Sequence, residues 1–390
     1  MRPETRSGLW RTYELAESRP ASKLTAAMAR NVIKLGSAIV ADADGNLRSE
    51  VLDRVCAAVA ERHAAGDEIV VVTSGAIAAG VRALGLPGRP DGVEELQATS
   101  AVGQGRLYPV YDGLLRARGV TTAQVLLTFF DLSARTNYLN ARQTLGKLLD
   151  WKVVPVINEN DTTATDEISF GDNDFLAAQV AILVAADRLV LLTNTDGLYS
   201  ADPATVPDAR LIEEVDDFAL LETLEITQTT SAHGSGGMRS KVTAADMATA
   251  AGIETTICNG SRDGVLAQVL AGGREGTRFA ARETRYSSFK LWLKYAKPTR
   301  GRLHVDAGAE RALREEGTSL LPVGIVSVEG GFDVGDAVEI VGGSGPIGKG
   351  ISSYSSVELG SAKGLKSAAV RELLPRAAEE AVHRDYLVLD

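Results

Sequence analysis

The segment Glu68-Ile-Val-Val-Val-Thr-Ser74-Gly75-Ala-Ile-Ala-Ala-Gly80 decides the fold class. Its first half, EIVVVTS at 68–74, is a near-continuous β-branched run without polar alternation, which predicts a strand buried on both faces. Its second half enters a helix whose first turn is small and glycine-rich. A helix start exposes orphan N–H groups at the positive end of the macrodipole, so this junction suits an anion. A tight strand–helix turn with no ligand is the plainer alternative.

Working outward, the same alternation recurs. Strand-like runs lie at 32–36 (VIKLG), 121–127, 152–158, 188–194 and 254–259, with helical stretches at 50–65, 94–118 (broken at Pro109), 135–150, 174–186 and 239–251. Apolar strands alternating with helices predict an α/β fold, a three-layer α/β/α sandwich with a mainly parallel sheet and right-handed crossovers, over residues 30–280. Residues 281–297 carry five basic residues, end at Pro298 and read as a linker. From 298 to 378 short strands and turns surround one helix at 307–316, a small mostly-β domain, followed by a tail at 379–390. Residues 1–29 read as an N-terminal extension. The part ahead of Met28 mixes Arg2, Arg6, Arg11 and Arg19 with Glu4, Glu14 and Glu17 and is expected to be disordered; it is neither a signal nor a transit peptide.

With 390 residues, 45% hydrophobic and 24% charged, the chain is large enough for two domains with real cores, which excludes a disordered or disulfide-stapled protein. The net charge of −10 argues against a surface that binds nucleic acid throughout, and an anionic substrate would need its own cluster of donors. The second domain, with 10 basic and 14 acidic residues over 299–390, is about −4 and offers no footprint for a phosphate backbone. Cys56 and Cys258 sit in apolar runs without zinc-ligand spacing and are expected to be buried. No run reaches the 18 or so apolar residues of a membrane span, and a cytoplasmic location is expected.

Three fragments mislead. Gly343 to Gly348 matches GxGxxG and nearly a Walker A loop, but no helix can follow it and Gly350 stands where Ser or Thr would hold Mg²⁺, so it is a turn between strands. His383-Arg384-Asp385 imitates a protein-kinase loop whose downstream partners cannot fit before Asp390.

Four segments fall where an α/β sheet places a site, at strand C-termini. Lys34-Leu-Gly36-Ser37 ends a strand in a lysine and a glycine that allows close backbone approach. Ser74 and Gly75 open the helix quoted above. Asn158-Glu-Asn160-Asp161, continued by Gly171-Asp172-Asn173-Asp174, is dense in short acids and amides that suit an ammonium or a metal-bound ligand; a capped loop is the alternative. Gly234-Ser235-Gly236-Gly237-Met238-Arg239-Ser240-Lys241 opens a helix and delivers a lysine on its first turn, while the neighbouring His233 reads as a loop residue. Two lysines on phosphate-type loops with an acid-rich loop between them imply phosphoryl transfer to a small amine-bearing or acidic molecule.

In order, Lys34-Leu-Gly-Ser, VTSGAIAAG, NARQTL (140–145), VVPVINENDTTAT, FGDND, LLTNTDGLYSADP, GSGGMRSK, RGRLHVDAGA and SLLPVGI resemble the glutamate 5-kinase family over about residues 30–378. The resemblance implies an amino-acid-kinase fold followed by a PUA domain, and ATP-dependent phosphorylation of L-glutamate to L-glutamyl 5-phosphate, the first step of proline synthesis. Aspartate, acetylglutamate, UMP and carbamate kinases share the fold without the INEND and GDND pair and the PUA domain. By matching positions it implies Lys34 and Lys241 as catalytic lysines and Asp174 as the aspartate that holds them. Ser74, Asp161 and Asn173 would be substrate-binding, and Lys34, Thr193, Asn194 and Ser235 to Lys241 nucleotide-binding. Asn194 departs from the common Asp, and Ser37 replaces a common Thr. ATP and Mg²⁺ are the implied cofactors, with no metal ligand assigned to the protein. A homo-oligomer, coupling to glutamyl-phosphate reductase and RNA binding by the PUA domain are further implied partnerships; an inactive kinase fold in a sensing or RNA-associated protein is the rival from another class.

Overall fold

The computed structural model describes residues 28–389 except 43, 129–130, 133–134, 164–172, 204, 219–220, 222–236, 284–287, 292, 295–296 and 376. The extension read ahead of Met28 lies outside the described residues, as do His233, Ser235 and Gly236.

The first sheet has eight strands in the order β3-β4-β2-β1-β5-β7-β8-β6. These are β1 Arg30–Leu35, β2 Glu68–Val72, β3 Thr122–Leu127, β4 Val154–Glu159, β5 Arg188–Thr193, β6 Glu214–Val215, β7 Glu254–Asn259 and β8 Thr277–Phe279. The strands from β3 across to β7 pair in parallel, and β8 runs antiparallel to β7. The edge strands β6 and β8 are too short to leave a sequence signature.

Because both faces are covered, the central strands are mostly apolar and parity decides which layer a side chain joins. On one face Val32, Val70, Val72, Leu189 and Leu191 pack against α4 (Arg135–Asp150), α5 (Asn173–Leu183) and α6 (Met238–Ala250). On the other, Ile33, Leu35, Ile69, Val71 and Leu192 meet α1 (Ser49–Ala64), α3 (Val93–Arg116) and α7 (Val265–Leu270). Helix α2 (Ala76–Leu84) follows β2 directly. Cys56 and Cys258 are buried in the second layer, and burial pushes both thiols up to about 12.

Helix α3 is continuous, which corrects the expected break at Pro109. The apolar face carrying Leu107, Tyr111 and Leu115 is fully buried, while Pro109 is exposed, so the carbonyl deprived of its partner faces water.

The second sheet has the order β10-β9-β11-β12-β13: β9 Thr299–Val305, β10 Ile325–Gly330, β11 Ala337–Gly342, β12 Gly345–Ser352 and β13 Val382–Leu389. Strand β13 corrects the reading of 379–390 as a tail: it pairs with β12 and buries Val382, Leu387 and Val388. It also holds the His383-Arg384-Asp385 lookalike. The alternation VHRDYLVL is short and partly charged, and only a waiting partner edge makes it a strand. Gly343 and Ser344 form the turn between the antiparallel strands β11 and β12, whereas Gly345 to Gly348, expected in the same turn, already lie in β12. The expected helix at 307–316 is an α-helical turn, α9 (Ala307–Arg311), that widens into an i→i+5 turn to Glu316. Two short helices went unread, α10 (Ser356–Ala362) and α11 (Ser367–Leu373), although α10 opens on a capping box of Ser355 and Glu358. The segment read as a linker holds a short helix, α8 (Ser288–Leu291), and packs rather than dangles. Leu293 is buried against Ala337 and Val388, and the Lys349 ammonium donates to the carbonyls of Lys294 (2.9 Å) and Lys297 (2.8 Å).

Candidate active site

The C-terminal ends of β1, β2, β4 and β5 open on one edge of the first sheet, and α2, α5 and α6 all begin there. Lys34 shares the parity of Val32, so its side chain enters the layer covered by α5 and α6. There it meets Asp174 Oδ1 in an ion pair. Lys241, on the first turn of α6, meets Asp174 Oδ2 at 2.9 Å. Lys34, Asp174 and Lys241 are 3%, 0% and 6% exposed, so the interactions are barely screened by water. Burial would push the Asp174 carboxyl up, but the two ammonium groups more than offset this and hold it well below the usual carboxylate range. Ser240 adds its hydroxyl to Asp174 Oδ2 at 3.1 Å. Among the described residues, two cations converge on a single buried anion.

Among the described residues, the start of α6 is uncapped, as an anion site requires. No described side chain caps it; its N-cap is Gly237, and the Ser240 hydroxyl donates to the Gly237 carbonyl (2.8 Å) instead of accepting from an N–H. Met238 and Arg239 lie on the same first turn. Opposite, at the end of β5, Thr193 is buried and Asn194 is exposed, 3.4 Å from the Thr193 hydroxyl through Oδ1. Two residues on, Asp196 supplies a carboxylate on this rim, held by Asn259 (2.9 Å) and Arg262 (3.3 Å).

A polar network joins this charge cluster to the neighbouring strand ends. The Asn173 amide donates to the Thr73 carbonyl (2.7 Å), the Ser74 hydroxyl (3.0 Å) and Asn158 Oδ1 (2.8 Å). Asn173 precedes Asp174, so this fork also fixes the start of α5. Ser74 is positioned by Gly75, whose φ of +94° and 2.8 Å clearance from the Val40 side chain exclude any Cβ. Asp161 follows β4 and contacts the Ser100 hydroxyl on α3. Burial raises the Asp161 pKa, against the opposing pull of the Ser100 bond and the Arg89 charge. The described residues thus bring Lys34, Ser74, Asp161, Asn173, Asp174 and Lys241 to one edge.

Asn158 and Thr73 lie in segments marked from sequence but were given no role of their own, and Ser100 was not singled out. Asn158 had a readable signal, a polar residue at the C-terminal end of an apolar strand. Ser100 had none, because only tertiary packing brings the inner face of α3 against the loop after β4.

Similarity to known proteins agrees with this architecture. The model of the amino acid kinase family matches residues 29–259 and that of the PUA domain residues 301–374. Among similar curated proteins, glutamate 5-kinase of Pseudomonas entomophila is 47% identical over 373 residues, covering 94% of this chain and 99% of that protein. The glutamate 5-kinase of Thermus thermophilus is 45% identical over 362 residues, covering 92% and 97%, and that of Caldanaerobacter subterraneus is 41% identical over the same length and shares. No described helix is long and apolar enough to cross a membrane. Its two-domain match, its near full-length relatives and the lysine–aspartate–lysine cluster at the sheet edge lead to one conclusion: the chain belongs to the glutamate 5-kinase family of amino acid kinases.

Proposed function

We propose that the protein transfers the γ-phosphoryl group of ATP to the side-chain carboxylate of L-glutamate, giving L-glutamyl 5-phosphate and ADP. The observation that carries this reading is the convergence of Lys34 and Lys241 on the two oxygens of the buried Asp174, beside the open start of α6. The nucleophile is a carboxylate with a reference pKa near ~4.3, already ionised at neutral pH, so no general base is needed. Its oxygen forms the new bond to phosphorus while the bridging oxygen leaves with its electron pair on ADP. The protein's work is therefore positioning and electrostatics. Lys34 and Lys241 offset charge on the phosphoryl oxygens, and Asp174 holds both ammonium groups in place. The first N–H groups of α6, with Thr193 and Asn194 opposite, receive the nucleotide, while Asp161 pairs with the substrate ammonium and Ser74 and Asn173 line the same pocket.

Among the described residues no cluster of three or more His, Cys, Asp or Glu is placed to hold a metal, and both Asp174 oxygens are engaged by lysines. Mg²⁺ suits this site as an ion carried by the nucleotide phosphates, where it supplies charge neutralisation. An acyl phosphate is labile, which favours prompt hand-over to a reductase such as glutamyl-phosphate reductase in the cytoplasm. The PUA domain, near −4 in charge, is better suited to packing or homo-oligomer formation than to RNA.

The test is ADP release with glutamate, aspartate, acetylglutamate and UMP offered in parallel. Glutamate should be preferred over each of the others by at least about 10-fold in kcat/KM, equivalent to ~1.4 kcal/mol. Equal rates with aspartate would sink the assignment.

A further inference from the structure

Helices α2 and α3 are locked together at backbone distance. A Cβ on Gly80 would lie 1.9 Å from the Thr99 carbonyl oxygen, and one on Gly103 would lie 1.7 Å from that of Ala76. Only glycine allows this approach, so the two backbones pack with no side chain between them. The crossing joins two parts of the site. Ala76 opens α2 directly after Ser74 and Gly75, and Ser100 lies on α3 between Thr99 and Gly103. Ser100 is fully buried, and its hydroxyl donates to Asp161 Oδ2. One turn later the Gln104 amide donates to the Glu159 carbonyl at 3.1 Å, and the Asn160 N–H donates to the Leu127 carbonyl at 3.0 Å. The chain leaving β4 is thus pinned from α3 on one side and from the end of β3 on the other. Among the described residues no hydrogen bond reaches Asp161 Oδ1.

We propose that Ser100 is a positioning residue for the amino-acid substrate: its hydroxyl holds Asp161 by Oδ2 and leaves Oδ1 to the substrate ammonium. This inference rests on the glutamate kinase reading given above, and on the role given there to Asp161. Two carboxylates stand at this edge of the sheet, and they are held by opposite means. Asp174 has an ammonium group on each oxygen, so its charge is spent within the protein. Asp161 is held by a neutral hydroxyl, which fixes the carboxylate without neutralising it. A carboxylate on an unsupported loop would lose its rotational freedom only when substrate arrives, at a cost to affinity. Ser100 removes that cost beforehand, because it sits on a helix that cannot shift without parting from α2. The same crossing fixes Ser74, at the start of α2, relative to Asp161, so two substrate contacts keep their spacing in the empty site.

The parent, Ser100→Ala and Ser100→Cys, each with and without Asp161→Asn, are compared by ADP release over ranges of glutamate, ATP and pH. Ser100→Ala removes the donor, and Ser100→Cys fills its space with a weak one. Both should raise KM for glutamate by roughly 5- to 50-fold, part of the ~10- to 150-fold carried by a whole charge-assisted bond, with KM for ATP within about threefold. The fall in kcat at saturating glutamate should be smaller than the rise in KM. In Asp161→Asn the further loss from Ser100→Ala should stay under about threefold, because the two residues act as one unit. The climb of KM for glutamate on acidification should begin at higher pH in Ser100→Ala, since burial then raises the Asp161 pKa with only the Arg89 charge opposing it. A Ser100→Cys enzyme with the parent's KM assigns Ser100 to packing and overturns the proposal. So does a full loss that persists in Asp161→Asn, or an acid climb unmoved from the parent's. If Ser100→Ala fails to fold, Ser100→Cys carries every comparison. Asp161→Asn with the parent's KM for glutamate also overturns the proposal, since Ser100 then holds a group that the substrate does not use. A parent without glutamate-dependent ADP release defeats the functional reading first, so the two failures are distinguishable.

Discussion

Lys241→Met separates catalysis from folding at this site. Methionine retains most of the stem's bulk and removes the ammonium. At the start of a helix a lysine normally faces water, where its loss costs folding almost nothing. Here Lys241 is 6% exposed and bonded to Asp174 at 2.9 Å, so stability must respond. A hydrogen bond to a charged group contributes about 1.5–3 kcal/mol. Part of that is regained because the variant no longer buries an ammonium. Asp174 keeps Lys34 on Oδ1 and the Ser240 hydroxyl on Oδ2. The net loss is then about 1–2 kcal/mol, a fall in melting temperature of roughly 2–8 °C at ~2–4 °C per kcal/mol for a domain of this size. The kinetic loss should be larger. Removing a preorganised donor from a dry site costs ~10²–10³ in kcat, or about 2.7–4 kcal/mol. KM for ATP should move much less, since the open N–H groups of α6 remain. Purified parent and variant are compared by coupled ADP release at saturating glutamate and by thermal melting. A kcat within about threefold of the parent, under ~0.7 kcal/mol of barrier, would remove Lys241 from the mechanism and weaken the kinase assignment with it.

Asp161→Asn should raise KM for glutamate by roughly 10- to 150-fold, from a charge-assisted bond of ~1.5–3 kcal/mol, and leave KM for ATP nearly unchanged. Because burial raises the Asp161 pKa above 3.8, folding disfavours its anion; that cost appears as pH rises through the interval between the unfolded and folded values and persists above it. At neutral pH the Asn variant should therefore melt no lower than the parent, and a clear drop in melting temperature with equal damage to both KM values would refute the assignment. For the same reason KM for glutamate in the parent should climb on acidification before KM for ATP does. Asp174, held below the usual range, stays ionised there, and its stabilising contribution falls away only below about 3.8, as pH drops toward its folded value. Deleting residues 379–390 removes Val382, Leu387 and Val388 from the second core, at about 1.5–3 kcal/mol for each buried side chain, and should produce an early melting transition of the C-terminal domain. An unchanged melting curve would restore the reading of that segment as a tail.

The sequence by itself determined the parallel sheet, since strands buried on both faces read as near-continuous apolar runs, as IVVV at 69–72 and LVLL at 189–192 do. It also marked Lys34, Ser74, Asn173, Asp174 and Lys241, because helix starts and strand ends that approach a ligand need glycines, hydroxyls and short acids that a packed core does not. It could not show that Lys241 is buried: the residue sits one turn into α6, and its exposure depends on what covers that turn, which is Asp174 from a helix more than sixty residues earlier in the chain. Ser100 and β13 were hidden for the same reason. Each is ordinary in its own segment, and takes its place only because two helices cross at glycines or because a strand edge is waiting for a partner. Local pattern fixes the long apolar elements; whether a short segment such as β13 becomes a strand, and which side chains meet across elements, are properties of packing, and only the tertiary structure decides them.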